Sequence, residues 1–180
     1  FNEHTLDQPG AVADAYRLGV PMGGQLAANA DKSPRFLVWA AADPNTANLQ
    51  RIQIVKGWQQ GGEHREQIYD VACSDGLKVD PQSHRCPDNG ARVNPSDCSI
   101  TPDSGATELK TVWQDPDFDA GQAAFYYVRV LENPVCRWST WDAIRSGEPV
   151  RTDLHSTIQE RAWSSPIWYG GSDHSSRFAE

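Results

Sequence analysis

The sequence predicts a mainly β protein, either an antiparallel β-sandwich or a β-meander, with one short helix and a long disulfide-stapled loop. Three observations favour this class. About six short segments rich in aromatic and β-branched residues are separated by turns of Gly, Pro and Asp. The regularly alternating helices of a parallel α/β fold are missing. Three of the four cysteines fall in one polar stretch, where cross-links can replace a core.

Length and composition agree with a single domain of modest core. The chain has 180 residues and a formal net charge of −8, and 38% of its residues are hydrophobic. Seven Trp, five Tyr and five Phe supply large side chains that bury much area each. No apolar run approaches the roughly 20 residues of a membrane-spanning helix. The Lys and Arg residues are scattered singly, which disfavours nucleic acid and anionic membrane surfaces as partners.

The chain divides into three parts. Residues 1–33 are predicted to form an N-terminal arm, rich in Ala, Gly and Asp, with a short helix at Ala11–Leu18. Residues 34–169 form the β-domain, and residues 170–180 form a polar tail. The first residue is Phe, and the residues that follow lack the features of a signal peptide. We therefore expect a chain that was processed or cut from a longer protein.

The first strands follow the arm. The run FLVWAA after Pro34 predicts a buried strand. Residues 51–58 alternate, with Ile52, Ile54 and Trp58 on one face. The sequence QQGG predicts a turn, because glycines adopt positive φ readily. Residues 66–72 then return, so the two runs predict a β-hairpin.

The second half of the domain begins after a polar loop at 73–105. Residues 107–113 predict a strand, and residues 124–132 predict a central one because apolar side chains occupy both of its faces. Residues 139–145 predict a short helix with Ser139 as its N-cap and Gly147 as its stop. Residues 157–169 predict a last strand that Pro166 interrupts, which favours an edge position or a bulge.

The cysteines Cys73, Cys86, Cys98 and Cys136 predict two disulfides. None shows the C-x-x-C spacing of zinc or redox sites. The pairing of Cys73 with Cys98 and Cys86 with Cys136 is the least favoured of the three, and the other two stay open. Disulfides indicate an oxidising compartment, so we expect a periplasmic or secreted protein.

The acidic turn DPDFD is the candidate metal site. Asp115, Asp117 and Asp119 could converge oxygen ligands on Ca²⁺, although the turn departs from the EF-hand pattern. The alternative is a strand-linking turn whose carboxylates cap backbone N–H groups while Phe118 fills the core.

Tryptophans near the predicted helix are the candidate ligand-binding residues. Trp138 and Trp141 lie beside Arg137, and exposed indoles could stack on a sugar ring; the alternative is that they pack in the core.

Two arginines, Arg129 and Arg161, interrupt apolar strands. A buried guanidinium needs a carboxylate, and the candidates are Glu132, Glu160 and Asp70; the alternative is that these arginines bind an anion.

Common catalytic motifs are absent. The sequence has no G-x-S-x-G, H-E-x-x-H, P-loop or G-x-G-x-x-G pattern. Its five histidines are spread over the arm and the loops, where solvent exposure is the simplest interpretation.

Six segments carry a family resemblance: GVPMGG (19–24), NLQRIQIVKGW (48–58), YDVAC (69–73), ELKTVWQDPDFD (108–119), AFYYVRVLENP (124–134) and IQERAWSSPIWY (158–169). In this order they resemble the C-terminal portion of the bacterial family named domain of unknown function 3604. The resemblance implies a longer exported protein. Its N-terminal region would carry a G-D-L-H-x-H-T type motif similar to metal-dependent phosphoesterases of the polymerase-and-histidinol-phosphatase class. That motif is absent here, so no catalytic residue is transferred.

Three functional hypotheses follow. The chain is a non-catalytic β-domain that packs against the N-terminal hydrolase region of the same longer protein. Alternatively, it is an autonomous extracellular module that binds glycans or another ligand, with or without calcium. An enzyme in its own right is the third and least favoured hypothesis.

Overall fold

β-Strands make up most of the regular structure in the computed structural model, which describes residues 2–27 and 32–170. The predicted mainly β class is confirmed. Within these ranges the strands are β1 (Gln25–Leu26), β2 (Arg35–Ala41), β3 (Leu49–Gln60), β4 (Glu63–Cys73), β5 (Glu108–Gln114), β6 (Ala124–Glu132), β7 (Val135–Cys136), β8 (Thr157–Ile158), β9 (Arg161–Trp163) and β10 (Ile167–Tyr169). The helices are α1 (Ala11–Leu18) and α2 (Trp138–Ser146), and a 3₁₀ turn at Glu3–Asp7 precedes α1.

The strands form two facing sheets and one short extra pair. The larger sheet has six strands in the order β1-β10-β6-β3-β4, with β9 also paired to β6. The smaller sheet contains β2 and β5, and β7 pairs with β8. β1 and β10 are parallel, whereas the other strand pairs are antiparallel. The polar tail lies outside the described residues beyond Gly170.

The predicted hairpin is confirmed as β3 and β4. Its strands are longer than the sequence indicated, and they meet at Gly61 and Gly62, whose φ angles of 61° and 84° suit glycine. β6 is central as predicted, because it pairs with β3 on one side and with β9 and β10 on the other.

The core lies between the two sheets. The ring of Phe36 on β2 lies 4.6 Å from that of Tyr126 on β6, centroid to centroid, so β2 covers β6. The ring of Trp113 on β5 lies 5.0 Å from that of Tyr69 on β4, so β5 covers β4. The buried core cluster comprises Phe36, Val38, Ile52, Ile54, Ala124, Tyr126 and Tyr169.

The predicted last strand is broken into pieces. β9 and β10 lie one after the other along β6, and Pro166 lies in the gap between them. The register on β6 shifts by one residue across this gap, as in a bulge. β10 is not an edge strand, because β1 lies beyond it.

The long loop between β4 and β5 is cross-linked as predicted. Cys73 is bonded to Cys86, and Cys98 is bonded to Cys136. This is one of the two pairings that the sequence left open. The second bridge ties the loop to β7, at the start of the segment that leads into α2.

Both helices agree closely with prediction, with one correction. α1 has the expected bounds. α2 begins at Trp138, and its N-cap residue is Arg137 without a side-chain hydrogen bond, so the assignment of Ser139 as N-cap was wrong. Gly147 ends the helix with a φ of 70°, a left-handed conformation that favours glycine. No helix in the described ranges is long and apolar enough to cross a membrane.

Candidate functional site

An apolar groove opens where the smaller sheet stops short of the larger one. β5 covers β4 and β2 covers β6, but no strand in the described ranges continues the smaller sheet beyond β2. A cavity of about 550 Å³ occupies this position. Its floor is the inner face of the larger sheet, formed by Ile54, Tyr126, Val128, Val130 and Ile167. The volume falls within the range of about 300–1,000 Å³ that is usual for ligand pockets.

One wall of the groove is the open edge of β2. β2 pairs with β5 along its whole length, from Arg35 opposite Gln114 to Ala41 opposite Glu108. Within the described residues, it has no strand partner on the other edge. An unpaired edge presents main-chain N–H and C=O groups that can pair with another strand.

The N-terminal arm forms the other wall. Val12 and Tyr16 on α1 and Met22 in the following loop line the groove, and they are exposed by 51%, 68% and 62%. The arm returns to the larger sheet through β1, and Gly23 N–H donates to the carbonyl of Pro166. Exposed apolar side chains gathered in one place are typical of an interaction surface.

The groove can therefore bind a ligand through main-chain hydrogen bonds to β2 and through burial of apolar side chains. A strand laid beside β2 would satisfy the free edge with hydrogen bonds, and its alternate side chains would enter the cavity. The groove carries no arrangement of acid, base and nucleophile among its lining residues.

The opposite, outer face of the larger sheet is exposed only in part: Trp163 is 60% exposed, whereas Gln53, Asp70 and Leu131 are buried. Residues directly opposite in antiparallel strands share a face. One row across this face contains Trp163, Arg129, Gln53 and Asp70, and the neighbouring row contains Arg161, Leu131 and Arg51. The outer face also carries Phe125, whose ring lies over Gly57. A Cβ at position 57 would come within 2.2 Å of the ring, so glycine is required there for this packing.

A polar network crosses the outer face around the buried carboxylate of Asp70. The Arg129 Nε donates to Gln53 Oε1 at 2.7 Å, and Gln53 Nε2 donates to Asp70 Oδ1 at 2.6 Å. Asp70 Oδ2 accepts the Cys86 backbone N–H at 2.7 Å. Arg51 Nε and Arg85 Nη1 approach the same carboxylate at 3.9 and 3.6 Å.

The expected carboxylate partners of the two strand arginines were wrong in detail. Arg129 reaches Asp70 only through the amide of Gln53, because Gln53 lies between them in the sheet. Arg161 is exposed and forms no ion pair with a described residue. It therefore needs no buried carboxylate.

In the acidic turn, the candidate calcium site, each of the three carboxylates has a partner within the protein. Asp115 is buried and contacts Lys56 Nζ at 2.7 Å, and Asp117 Oδ2 accepts from the Tyr69 hydroxyl at 2.7 Å. Asp119 accepts the Gly121 backbone N–H. In the described part of the chain, no three His, Cys, Asp or Glu side chains group closely enough to hold a metal ion.

Two tyrosines titrate abnormally because of this turn. Burial and the hydrogen bond to Asp117 raise the pKa of Tyr69 far above its usual value. Burial and the hydrogen bond to Asp115 do the same to the pKa of Tyr126. Both hydroxyls are therefore neutral near neutral pH, and they tie the acidic turn to the core by donating hydrogen bonds to Asp117 and Asp115.

The predicted tryptophan site is exposed. Trp138 and Trp141 lie on the first turn of α2, with exposed fractions of 69% and 38%, next to Arg137. The guanidinium of Arg145 lies over the Trp141 ring, 5.4 Å from its centroid. The two indoles are not core residues, and they lie apart from the residues that line the groove.

Sequence reasoning missed the groove and the role of Lys56. The alternation of β3 carried one signal, since Lys56 shares the apolar face of Ile52 and Ile54 and so required a buried partner. The helix α1 carried a second signal. Val12 and Tyr16 are one helical turn apart, so they lie on the same face of the helix, and both side chains are exposed. The open edge of β2 had no local signal.

The fold and its surfaces define a disulfide-stapled β-sandwich domain with an open strand edge. The chain matches the family described as Protein of unknown function (DUF3604) over residues 1–171, and it belongs to that family. This agrees with the resemblance of the six segments. No curated protein and no solved structure matches the chain.

Proposed function

We propose that this chain is a non-catalytic accessory domain of a longer exported protein, and that it holds an extended apolar segment of that protein in the groove beside β2. The open β2 edge next to the 550 Å³ apolar cavity is the observation that supports this function. The metal-dependent hydrolase region that the family resemblance implies is the proposed source of the segment. The two disulfides suit a periplasm or the cell exterior.

An added strand explains three features at once. It supplies acceptors and donors to the edge of β2 that has no strand partner among the described residues. It also covers the inner-face residues Val128 and Val130 and buries the exposed side chains of Tyr16 and Met22. A rounded small molecule would use the cavity but leave the strand edge unpaired. The shape and chemistry of the groove therefore favour an extended peptide segment.

The experiment combines this chain with the separately produced polypeptide that precedes it in the natural gene product. Isothermal titration calorimetry measures the dissociation constant. We expect the double variant Tyr16→Ser, Met22→Ser to weaken binding at least tenfold, because it removes exposed apolar contacts without touching the core. Hydrogen exchange of the β2 amides should slow in the complex.

The matched control is Trp138→Ser, which changes an equally exposed aromatic residue on α2 and should leave affinity unchanged. Equal affinity for both variants, or no binding between the two polypeptides, would contradict the proposal. Self-association of this chain through the groove would also contradict it, since the occupant would then be a second copy.

The second candidate function is an extracellular glycan-binding module that uses Trp138, Trp141 and Arg137. The exposure of both indoles on one helical turn favours it. Glycan-array binding that is lost in Trp138→Ala or Trp141→Ala would support this function. An array without a positive spot, with and without added calcium, would end it.

A further inference from the structure

We infer that the outer face of the larger sheet binds an anionic saccharide, with a carboxylate-bearing sugar unit held by Arg129 and stacked on Trp163. By register, Arg129 and Trp163 lie on the face of the sheet opposite the floor of the groove, and Trp163 also lines the rim of the groove. The inferred ligand differs from the peptide segment proposed above, so the inference does not rest on that function. It is also separate from the Trp138 and Trp141 pair on α2.

Arg129 supplies the recognition group. Its Nε is engaged by Gln53 Oε1 at 2.7 Å, which fixes the orientation of the guanidinium plane. Its two terminal nitrogens have no hydrogen-bond or ion-pair partner among the described residues. A guanidinium held in this way presents two parallel N–H donors, the geometry that binds a carboxylate through both of its oxygens.

The outer face has more positive than negative charge. Arg51, Arg85 and Arg129 gather around the one buried carboxylate of Asp70, and Arg161 lies in the adjacent row. Asp88 forms an ion pair with Arg92 at 2.6 Å and also lies close enough to interact with Arg51, so it compensates part of this charge. By register Glu66 also lies on this face, opposite Gly57, towards the aromatic end. This local cationic excess occurs in a chain whose net charge is −8.

One buried donor in the cluster lacks an acceptor. The Nε of Arg51 is inaccessible to solvent and has no hydrogen-bond partner among the described residues. Its approach to Asp70 at 3.9 Å is too long for a hydrogen bond. Because this Nε is closed off from solvent, a ligand on the surface cannot accept from it, and Arg51 contributes positive charge to the cluster through its partly exposed guanidinium group.

Aromatic rings provide the surface on which a sugar ring can lie. Trp163 is directly opposite Arg129 and is 60% exposed. Further along the same face, the ring of Phe125 packs against Trp168 at 5.4 Å and is stacked with Tyr127 at 6.4 Å. In the same row Gln53 and Asp70 are buried, so the surface open to a ligand is the Trp163 and Arg129 end, on two neighbouring strands about 4.8 Å apart.

A saccharide fits these observations better than a densely charged polymer. The net charge of −8 repels a polyanion such as nucleic acid at long range, whereas one carboxylate can be held by a local cluster. An acidic peptide shares the carboxylate but has no flat apolar ring face for Trp163. It is therefore a comparison ligand in the test.

The test measures binding to the full chain by calorimetry with four probes: a galacturonate oligosaccharide, the neutral galactose oligosaccharide of equal length, an oligoglutamate peptide and inorganic sulfate. We expect binding of the galacturonate probe alone. Arg129→Gln should weaken it at least tenfold, and Arg129→Lys should weaken it less, since charge remains but the paired donors are lost. Trp163→Ala should weaken it about tenfold.

Arg17→Gln on α1 and Arg151→Gln in the loop before β8 are the matched controls. Both arginines are exposed and pair with a nearby aspartate, so neither change should alter the affinity. Thermal unfolding of each variant establishes that it is folded. Absence of galacturonate binding, equal affinity for the neutral oligosaccharide, equal affinity for the peptide, or binding of sulfate alone would each overturn the inference. An unchanged affinity in Arg129→Gln would overturn it as well.

Discussion

Two buried carboxylates, Asp115 and Asp70, lie on opposite sides of the same six-stranded sheet and differ in the charged groups around them. Each is only 3% exposed. Asp115 faces one cation, Lys56 at 2.7 Å, and two neutral donors, the hydroxyl of Tyr126 at 2.7 Å and the backbone N–H of Asp117 at 2.9 Å. Asp70 faces two guanidinium groups directly and a third through Gln53.

The difference separates a structural ion pair from a binding surface. On the inner side, one positive charge matches one negative charge, and both are shielded from water by the two sheets. On the outer side, the positive charges exceed the carboxylates nearby and reach solvent, with Arg51 and Arg85 side chains 25% and 48% exposed. A closed pair stabilises the fold, whereas an open cationic cluster can accept a ligand.

The largest expected effect is the loss of the inner pair. Lys56→Met leaves the Asp115 carboxylate buried without its cation, so we expect the free energy of unfolding to fall by about 3–5 kcal/mol. Denaturant unfolding followed by far-UV circular dichroism measures it. Lys110→Met is the control, because Lys110 pairs with the exposed Asp7 and should cost less than about 1 kcal/mol. If Lys56→Met and Lys110→Met lowered the free energy of unfolding by similar amounts, the buried ion pair would not differ from the exposed one, contrary to this prediction.

A smaller effect is expected from Asp70→Asn on the outer side. The amide keeps the shape, and its single oxygen can still accept from the Cys86 N–H but not from Gln53 Nε2 as well, so the loss should be about 1–2 kcal/mol. The remaining arginines then repel one another, and added salt should restore part of this loss by screening the exposed guanidinium groups. The measurement is the free energy of unfolding of Asp70→Asn and of Lys56→Met, each in 0.05 and 0.5 M salt. If salt changed the free energy of unfolding of Lys56→Met as much as that of Asp70→Asn, the proposed difference between the inner and outer carboxylates would be contradicted.

The smallest effect at neutral pH is expected from Tyr126→Phe, with a loss of about 1 kcal/mol for the hydrogen bond to Asp115. Its pH dependence is more informative. Burial and Asp115 raise the pKa of Tyr126 in the folded chain. Its stabilising contribution is therefore complete below the unfolded pKa of about 10 and decreases as pH rises above it, by up to about 1.4 kcal/mol per pH unit.

Urea unfolding between pH 8 and 11.5 tests this. The variant should show a shallower alkaline decrease than the original chain, while Tyr16→Phe, on the exposed helix α1, should show none of this difference. If the free energy of unfolding of the Tyr126 variant and of the original chain fell in parallel with rising pH, the pKa of the Tyr126 phenol would be the same in the folded and unfolded chains, which would contradict the prediction.

Local patterns predicted the local parts of this fold. The glycine turn and the alternation of β3 located the hairpin, the apolar residues on both faces of β6 placed it in the centre, and Pro166 marked a break. Each of these depends on neighbouring residues. The acidic turn could not be interpreted in the same way, because its partners Lys56 and Tyr69 come from β3 and β4.

The exposed surfaces depend on long-range pairing, which the sequence does not encode locally. The groove exists because β1, near the start of the described chain, pairs with β10, near its end, while β2 has no second strand partner among the described residues. The outer cluster exists because Arg129, Gln53 and Asp70 come from three different strands. No spacing in the sequence reveals that these residues share a row.

The two disulfides also determine what a protease can release from the domain. A single cut between Cys73 and Cys86, or between Cys98 and Cys136, leaves both pieces covalently joined through the bridge that spans the cut. A cut in residues 87–97 falls between the two cross-linked rings, so the pieces would be held only by strand pairing and packing. This short stretch is therefore the point in the loop at which one nick divides the chain into two separable halves, each with its own intact disulfide.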